Sequence, residues 1–312
     1  MTFNIEPTVL WFLASIYGIL CFASLLTAFL KWRNPDKQYG ELIQRVKSWW
    51  VMIIIFSLAM VSSPVISLVF FGLISFLALK EFFSIIPTRR ADRRVLFWAY
   101  LSIPFQYYWV SQEWYGMFII FIPVYLFLFL PLRMVIIGET KDFLRSAGTL
   151  HWGVMTLVFS ISHVAYLLVL PGKEGFSAGG VGLVLFLVFL TQFNDVSQYV
   201  WGKMLGKHKI IPKVSPNKTV EGFLGGVFTS TVLALLLSQY LTPLSLLEGA
   251  VAGLMISVAG FIGDVTISAL KRDIGVKDSG SMLPGHGGIL DRIDSLTYTA
   301  PLFFHYVYYL YY

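Results

Sequence analysis

Residues 9–30 read VLWFLASIYGILCFASLLTAFL, an uncharged run that ends at Lys31-Trp32-Arg33. A helix needs about 20 apolar residues to cross the ~30 Å hydrocarbon core of a bilayer. Similar segments recur to the end of the chain, so the sequence predicts an all-α, polytopic integral membrane protein with about ten transmembrane helices. The predicted spans are residues 8–30, 51–63, 65–86, 95–110, 114–137, 149–170, 180–200, 222–242, 249–269 and 293–312.

The composition agrees with a membrane protein. Of the 312 residues, 57% are hydrophobic and 13% are charged, whereas an average soluble domain is about 25% charged. The mean hydropathy is +0.73. A soluble protein of this size could not bury so much apolar surface, which also excludes a disordered chain and a soluble enzyme with one anchor. The single cysteine, Cys21, excludes an intrachain disulfide and a cysteine-rich metal site.

The basic residues predict the orientation. The net charge of +6 is typical of basic cytoplasmic loops and indicates no nucleic-acid partner here. If the chain reverses at Ser62-Ser63-Pro64, residues 51–63 and 65–86 form a hairpin, and Lys173 is the only basic residue outside. One kinked helix over 51–86 would instead move the basic residues of 31–50 outside, so the positive-inside rule favours the hairpin. The predicted cytoplasmic segments are 31–50, 87–94, 138–148, 201–221 and 270–292.

Polar residues are unevenly distributed along the chain. Up to about residue 190 they are scattered between spans, and after it they form two dense clusters. We therefore expect an N-terminal membrane-helix region, 1–180, and a C-terminal catalytic membrane region, 181–312, with cytoplasmic loops 201–221 and 270–292. Within the N-terminal region, 35–50 is amphipathic and predicts either a helix in the inner interface or a short loop.

The first cluster, residues 194–226, surrounds a carboxylate in an apolar span. Asp195 lies in the last turns of that span, where a charge is costly and commonly functional; pairing with a lysine or capping a helix is the alternative. Ser215-Pro216-Asn217-Lys218-Thr219 opens the next helix. Ser215 or Thr219 can cap it, and free backbone N–H groups beside Lys218 suit a phosphate. Glycines 222, 225 and 226 predict close helix packing.

The second cluster, residues 263–295, combines carboxylates and cations. Asp264 lies inside an apolar helix, and Asp291 and Asp294 are three residues apart, so they are expected on one helical face. Oxygen ligands at this density suit Mg²⁺, which commonly binds one or two carboxylates plus substrate phosphates. His286 could contact phosphate, act as a general acid or base, or be structural. The nearby cations suit a polyphosphate: Lys271, Arg272, Lys277 and Arg292.

Both clusters resemble a known family. Ser268-x-x-Lys271-Arg272, Lys277-Asp278-x-Gly280, Pro284-Gly285-His286-Gly287-Gly288 and Asp291-Arg292-x-Asp294 are similar to the signature of phosphatidate cytidylyltransferase, or CDP-diacylglycerol synthase. Residues 206–226 resemble the same family. The resemblance implies a membrane enzyme of phospholipid biosynthesis that converts CTP, or dCTP, and phosphatidic acid to CDP-diacylglycerol and pyrophosphate. It also implies an active site that faces the cytoplasm. The short chain is typical of a protein of a bacterial cytoplasmic membrane.

The same resemblance implies roles for individual residues. Asp264 and Asp291 would be ligands of Mg²⁺, with Asp294 nearby and K⁺ open as a second ion. Lys271 and Arg272 would act beside them in catalysis. Partners are the nucleotide, phosphatidic acid and membrane lipids, with a homodimer left open. The implied substrate-binding residues are Asp195, Ser215, Lys218, Thr219, Glu221, Lys277, Asp278, His286 and Arg292.

Two positions depart from the family pattern. Gln198 stands where the family commonly has alanine, and Ile267 stands where it commonly has glutamate before the signature serine. These departures leave open a different lipid phosphate as acceptor or a catalytically inactive relative. A CTP-dependent lipid kinase and an anion or lipid transporter are further alternatives. The Asp-Gly-x-x-Ala-Arg motif of CDP-alcohol phosphotransferases is absent, which disfavours that class.

Overall fold

The computed structural model describes residues 6–34, 39–171, 176–280, 282 and 287–312. Over these ranges the chain is predominantly helical, and Lys209 and Thr219 form an antiparallel bridge. The all-α prediction is therefore confirmed. The helices are α1 Pro7–Arg33, α2 Gly40–Val61, α3 Pro64–Ile85, α4 Arg93–Ser111, α5 Tyr115–Ile137, α6 Phe143–Val169, α7 Gly179–Leu205, α8 Val220–Leu241, α9 Leu246–Asp273, α10 Leu290–Ile293 and α11 Leu296–Tyr311.

Eight of these helices are long and apolar enough to cross a membrane: α1 to α3 and α5 to α9. This agrees with a polytopic membrane protein. Helix α4 covers predicted span 95–110, and α10 with α11 covers predicted span 293–312, but neither is among the eight. The count of ten transmembrane helices therefore stays a prediction.

The reversal after residue 61 is confirmed. Helix α2 ends at Val61, Ser62 and Ser63 are extended, and α3 begins at Pro64. The Ser67 hydroxyl donates to the Ala59 carbonyl at 2.7 Å, and the rings of Phe56 and Phe70 lie 6.3 Å apart. A continuous helix would separate residues 14 apart by ~21 Å. The chain therefore folds back as a hairpin.

The amphipathic segment before this hairpin is helical over residues 40–50. Residues 40–50 belong to the same uninterrupted helix as residues 51–61. The helix alternative is therefore confirmed and the loop alternative is wrong for residues 40–50, while a position in the inner interface stays a prediction. Residues 35–38 of the predicted segment lie outside the described residues. The indole of Trp50 donates to Ser24 Oγ at 3.0 Å, which ties α2 to α1.

The helices run between two chemically different ends. At one end, the Arg272 side chain donates to the Val214 carbonyl at 3.3 Å, and Arg89 donates to the Glu139 carbonyl at 3.1 Å. Ile289 also donates to Glu81 near the end of α3, which leads into loop 87–94. Four of the predicted cytoplasmic segments therefore lie at this end, which we call the basic end. At the opposite end, Tyr306 donates to the Glu248 carbonyl at 3.1 Å. That the basic end faces the cytoplasm stays a prediction.

Close packing of α7, α8 and α9 forms the framework of the basic end. A β-carbon at Gly222 of α8 would lie 2.7 Å from the Gln198 carbonyl of α7, and one at Gly225 would overlap the Trp201 ring. The predicted packing role of these glycines is confirmed. Helices α6 and α11 complete this part of the bundle, so regions 1–180 and 181–312 are packed together. Their division into separate regions stays a prediction.

Candidate active site

The first ion pair of the site joins two segments that are 46 residues apart. Lys218 Nζ lies 2.6 Å from Asp264 Oδ2, with 17% and 25% of the two side chains exposed. Lys218 also donates to Gln198 Oε1 at 3.4 Å and lies 4.9 Å from the centre of the Phe261 ring. The hydroxyl of Ser268 donates to Asp264 Oδ1 at 3.2 Å. Lys218, next to the N-cap of α8, therefore pairs with Asp264 of α9.

A second ion pair is more deeply buried. Lys271 Nζ lies 2.6 Å from Asp291 Oδ1, with 11% and 6% of the side chains exposed. Asp291 Oδ2 accepts the backbone N–H groups of Ser279 at 2.9 Å and Gly288 at 3.1 Å. Burial raises the pKa of Asp291, but these hydrogen bonds and the Lys271 charge outweigh burial, so its pKa lies below the usual value. Asp291 is therefore ionised at neutral pH.

Two further carboxylates, Asp195 and Asp294, lie beside the two ion pairs. Asp195 accepts the Ser295 hydroxyl at 3.0 Å, and Asp294 accepts the Ser295 N–H at 2.7 Å. Both carboxylates lie near enough to Asp264 to be repelled by it, and Lys271 lies near enough to attract Asp294. Asp291 and Asp294, which were expected on one helical face, thus have different partners. Within the described chain, neither Asp195 nor Asp294 forms an ion pair, although Lys218 and Arg292 lie near enough to attract Asp195.

Hydrogen bonds of Thr219 and Glu221 hold the loop between α7 and α8 at the start of α8. Thr219 is the N-cap of α8, and its hydroxyl accepts the Gly222 N–H at 3.1 Å. The capping prediction is confirmed for Thr219, whereas Ser215 lies in the turn before it. Glu221 accepts the backbone N–H of Lys207 at 3.0 Å and pairs with His208 at 2.6 Å. Glu221 is therefore bonded to its own loop.

The other predicted site residues have different surroundings. Arg272 is exposed and donates to the carbonyls of Val214 and Val276, so it links the two basic loops. Lys277 and Asp278 are exposed beyond α9. Arg292 is partly buried, and its Nε has no hydrogen-bond partner among the described residues. His286 lies outside the described residues, so its three alternative roles stay open.

Sequence reasoning missed Glu81. This carboxylate lies near the end of α3, is 8% exposed, and accepts the Ile289 N–H at 2.8 Å and the Ser279 hydroxyl. The available signal was a carboxylate inside an apolar segment, as for Asp195. Ser295, which bonds Asp195, and Ser279, which bonds both Glu81 and Asp291, were also missed.

The residues present fit a Mg²⁺ ion that is completed by substrate. Within the described ranges, no three side chains of His, Cys, Asp or Glu are grouped closely enough to hold a metal ion by themselves. Mg²⁺ usually keeps waters and binds one or two carboxylates together with substrate phosphates. The oxygen-only donor set matches that kind of site, as do Asp195 and Asp294, which form no ion pair among the described residues. The pairing of Asp264 with Asp291 as ligands stays a prediction, because each now bonds its own lysine.

The two departures from the family pattern have distinct environments. Gln198 is buried between Lys218 and Gly226, and its Nε2 has no partner among the described residues. Ile267 is fully buried in the apolar core. Gln198 therefore belongs to the polar site, whereas Ile267 contributes to helix packing.

The fold and these ion pairs define a polytopic membrane protein with a phosphate-compatible polar site at one end of its helices. A sequence model of the cytidylyltransferase family matches residues 43–310. The chain belongs to this family.

Individual relatives extend this finding. The chain is 46% identical over 297 residues to the uncharacterized protein YnbB of Escherichia coli strain K12, which covers 95% of this chain and 97% of the relative. It is 44% identical over 125 residues to phosphatidate cytidylyltransferase of Staphylococcus aureus strain COL. A phosphatidate cytidylyltransferase of Staphylococcus saprophyticus is 42% identical over 124 residues. Each of these two matches covers 39% of this chain and 48% of the relative, about half of its length.

Proposed function

We propose that the protein transfers the cytidylyl group of CTP or dCTP to phosphatidic acid, giving CDP-diacylglycerol and pyrophosphate. The observation that supports this most is the pair of lysine–carboxylate contacts, Lys218–Asp264 and Lys271–Asp291, at one end of a cytidylyltransferase-family helix bundle. The proposed setting is a bacterial cytoplasmic membrane with the basic end facing the cytoplasm. There the lipid reaches the site laterally and the nucleotide arrives from water.

The proposed reaction needs charge neutralisation more than a strong base. A lipid phosphate oxygen forms a bond to the α-phosphorus of CTP. The bond from that phosphorus to the oxygen bridging the β-phosphate breaks, and pyrophosphate leaves with the electron pair. The lipid phosphate is already ionised at neutral pH, so the main barrier is repulsion between two anions. Cations positioned in a partly buried site reduce such repulsion.

The residues of this chain supply those cations. In the proposal, Lys218 and Lys271 turn from their carboxylates to phosphate oxygens when substrates enter. Arg272 and Arg292 add charge toward the departing pyrophosphate. Asp264 and Asp291 would hold Mg²⁺, which supplies Lewis-acid stabilisation of phosphate oxygens when bound. The remaining contribution is positioning of the two substrates.

The test is an assay of the purified protein in detergent micelles with phosphatidic acid, Mg²⁺ and CTP labelled either in cytidine or in the γ-phosphate. Cytidylyl transfer moves the cytidine label into lipid and releases pyrophosphate, and EDTA stops both. Transfer of the γ-phosphate label alone would instead indicate a lipid kinase. No transfer of either label from folded protein would contradict phosphatidic acid as the acceptor.

A second acceptor is favoured by one observation. Gln198 Oε1 accepts from Lys218 Nζ at 3.4 Å, so an uncommon side chain contacts a proposed phosphate-binding lysine. The alternative is cytidylyl transfer to another lipid phosphate, such as a lysophosphatidate or a polyprenyl phosphate. If Gln198 selects it, Gln198→Ala changes the ratio of activities on the two acceptors. Failure of every acceptor would favour an inactive or transport-like relative.

A further inference from the structure

One buried carboxylate of the N-terminal region contacts the signature loop of the C-terminal region. Glu81 of α3 is 8% exposed and has no cationic partner within the described chain. Its Oε2 accepts the Ile289 N–H at 2.8 Å, and its Oε1 accepts the Ser279 hydroxyl. These partners stand on opposite sides of the loop that joins α9 to α10. Burying a carboxylate costs free energy unless hydrogen bonds or a cation compensate it, and here hydrogen bonds do so.

Asp291 bonds the same two flanks from the other direction. Ser279 uses its hydroxyl for Glu81 and its backbone N–H for Asp291. On the second flank, Ile289 donates to Glu81 and Gly288 donates to Asp291 at 3.1 Å. The two carboxylates therefore hold both flanks by alternating hydrogen bonds. We call Glu81, Asp291, Ser279 and residues 288–289 the carboxylate clamp.

Two glycines in the described flanks of the loop make room for Glu81. A β-carbon at Gly288 would overlap Glu81 Oε1, and one at Gly280 would lie 3.0 Å from Glu81 Cδ. Glycine at these two positions permits the close approach of the carboxylate. The fit indicates that Glu81 belongs to the loop's folded form and is not an incidental neighbour.

We propose that Glu81 is a positioning residue, which rests on the proposed function. By bonding Ser279 and Ile289 it sets the place of the Asp291 carboxylate, and through Asp291 the place of Lys271. Glu81 itself touches neither substrate nor metal in this proposal. Its role depends on its two hydrogen bonds and does not depend on its negative charge.

The kinetic test compares Glu81→Ala, Glu81→Gln and wild type in the micelle assay. Glu81→Ala removes both acceptors, and kcat is expected to fall roughly 10- to 100-fold, the effect of one or two lost hydrogen bonds to a charged group. In Glu81→Gln, the amide oxygen accepts from Ile289 and the amide nitrogen donates to Ser279 Oγ, so kcat should return to within about threefold. Glu41→Ala is the matched control, because the ion-pair partner of Glu41 among the described residues is the exposed Arg45.

Two outcomes would overturn the proposal. If kcat of Glu81→Gln falls as far as that of Glu81→Ala, activity depends on the charge of Glu81 and not on its hydrogen bonds. If Glu81→Ala retains wild-type kcat, activity depends on neither the charge nor the hydrogen bonds of Glu81. A double variant gives an independent check. Gly288→Ala displaces Glu81, so adding Glu81→Ala to it should lower kcat no further. If the two reductions in kcat multiply instead, the clamp is contradicted.

Hydrogen exchange separates this proposal from the proposed function. The Ile289 amide is bonded to Glu81, so a peptide that contains it should exchange faster in Glu81→Ala than in wild type, without any substrate present. Peptides of α1, far along the chain from the clamp, should be unchanged. Unchanged exchange at Ile289 would reject the clamp even if the enzyme is active. Faster exchange in a protein that shows no transfer would reject the proposed function alone.

Discussion

Replacement of Asp291 by asparagine is the sharpest test of the candidate active site. The substitution keeps the shape of the side chain and the acceptor for the Ser279 and Gly288 N–H groups, but it removes the charge that pairs with Lys271 at 2.6 Å. With 11% of its side chain exposed, Lys271 then has little access to water to replace its partner. Any metal ligand supplied by this carboxylate is weakened as well.

The expected loss follows from the burial of this pair. Removing one partner of a buried ion pair costs about 3–5 kcal/mol. If that free energy is lost from transition-state stabilisation, at 1.36 kcal/mol for each factor of ten, the turnover falls roughly 10²- to 10⁴-fold. The assay is lipid-linked cytidine formation in micelles, with chromatography and a thermal melt to establish that the variant is inserted and folded.

Two companion variants separate chemistry from stability. Asp273→Asn alters an exposed carboxylate at the same end of α9 and should leave activity near wild type. Lys271→Gln combined with Asp291→Asn replaces the ion pair by a neutral pair, so the melting temperature should recover relative to Asp291→Asn while turnover stays low. Turnover of Asp291→Asn within threefold of wild type would refute both the metal-ligand assignment and the need for the ion pair.

Three other measurements test the framework of the site. Thr219→Ala removes the cap of α8 and should lower stability by about 1 kcal/mol, with Thr219→Ser as the rescuing control in the same thermal melt. Gly222→Ala places a β-carbon 2.7 Å from the backbone carbonyl of Gln198, so it should lower the melting temperature. Gly18→Ala is the control, because its β-carbon meets no atom within 4 Å. Equal melting temperatures of the two variants would contradict the close packing at Gly222. Chelation with EDTA should abolish cytidylyl transfer and added Mg²⁺ should restore it, while activity that persists in EDTA would contradict a required divalent ion.

Much of the local structure was accessible from the sequence. The cap at Thr219 was predicted because it depends on residues within one turn of the chain. Close packing at Gly222 was predicted from the glycine spacing, but its contact on α7, the Gln198 carbonyl, was not. The hairpin at Ser62-Ser63-Pro64 was predicted from charge counting, since orientation in a membrane depends on loop charges. The continuous helix α2 was not predicted. Polar residues before an apolar span are compatible either with a separate segment or with an extension of the same helix.

The pairing of side chains was less accessible. Sequence spacing predicted that Asp291 and Asp294 share a helical face, and the backbone stays helical through Asp294 and Ser295. It did not predict that the two carboxylates have different partners. Asp264 and Lys218 were each identified as candidates, whereas their contact was not. Glu81 was missed because its partners lie about 200 positions later in the chain.

The sequence by itself determined the all-helical membrane architecture, the two polar clusters and the cytidylyltransferase resemblance. These properties follow from hydropathy, charge and residue spacing, which act along the chain. Only the tertiary structure decided which lysine pairs with which carboxylate, and that Glu81 and Asp291 hold the same loop from opposite directions. The physical reason is that helical periodicity specifies which face of a helix is apolar, whereas the register of its neighbours depends on packing summed over the whole bundle.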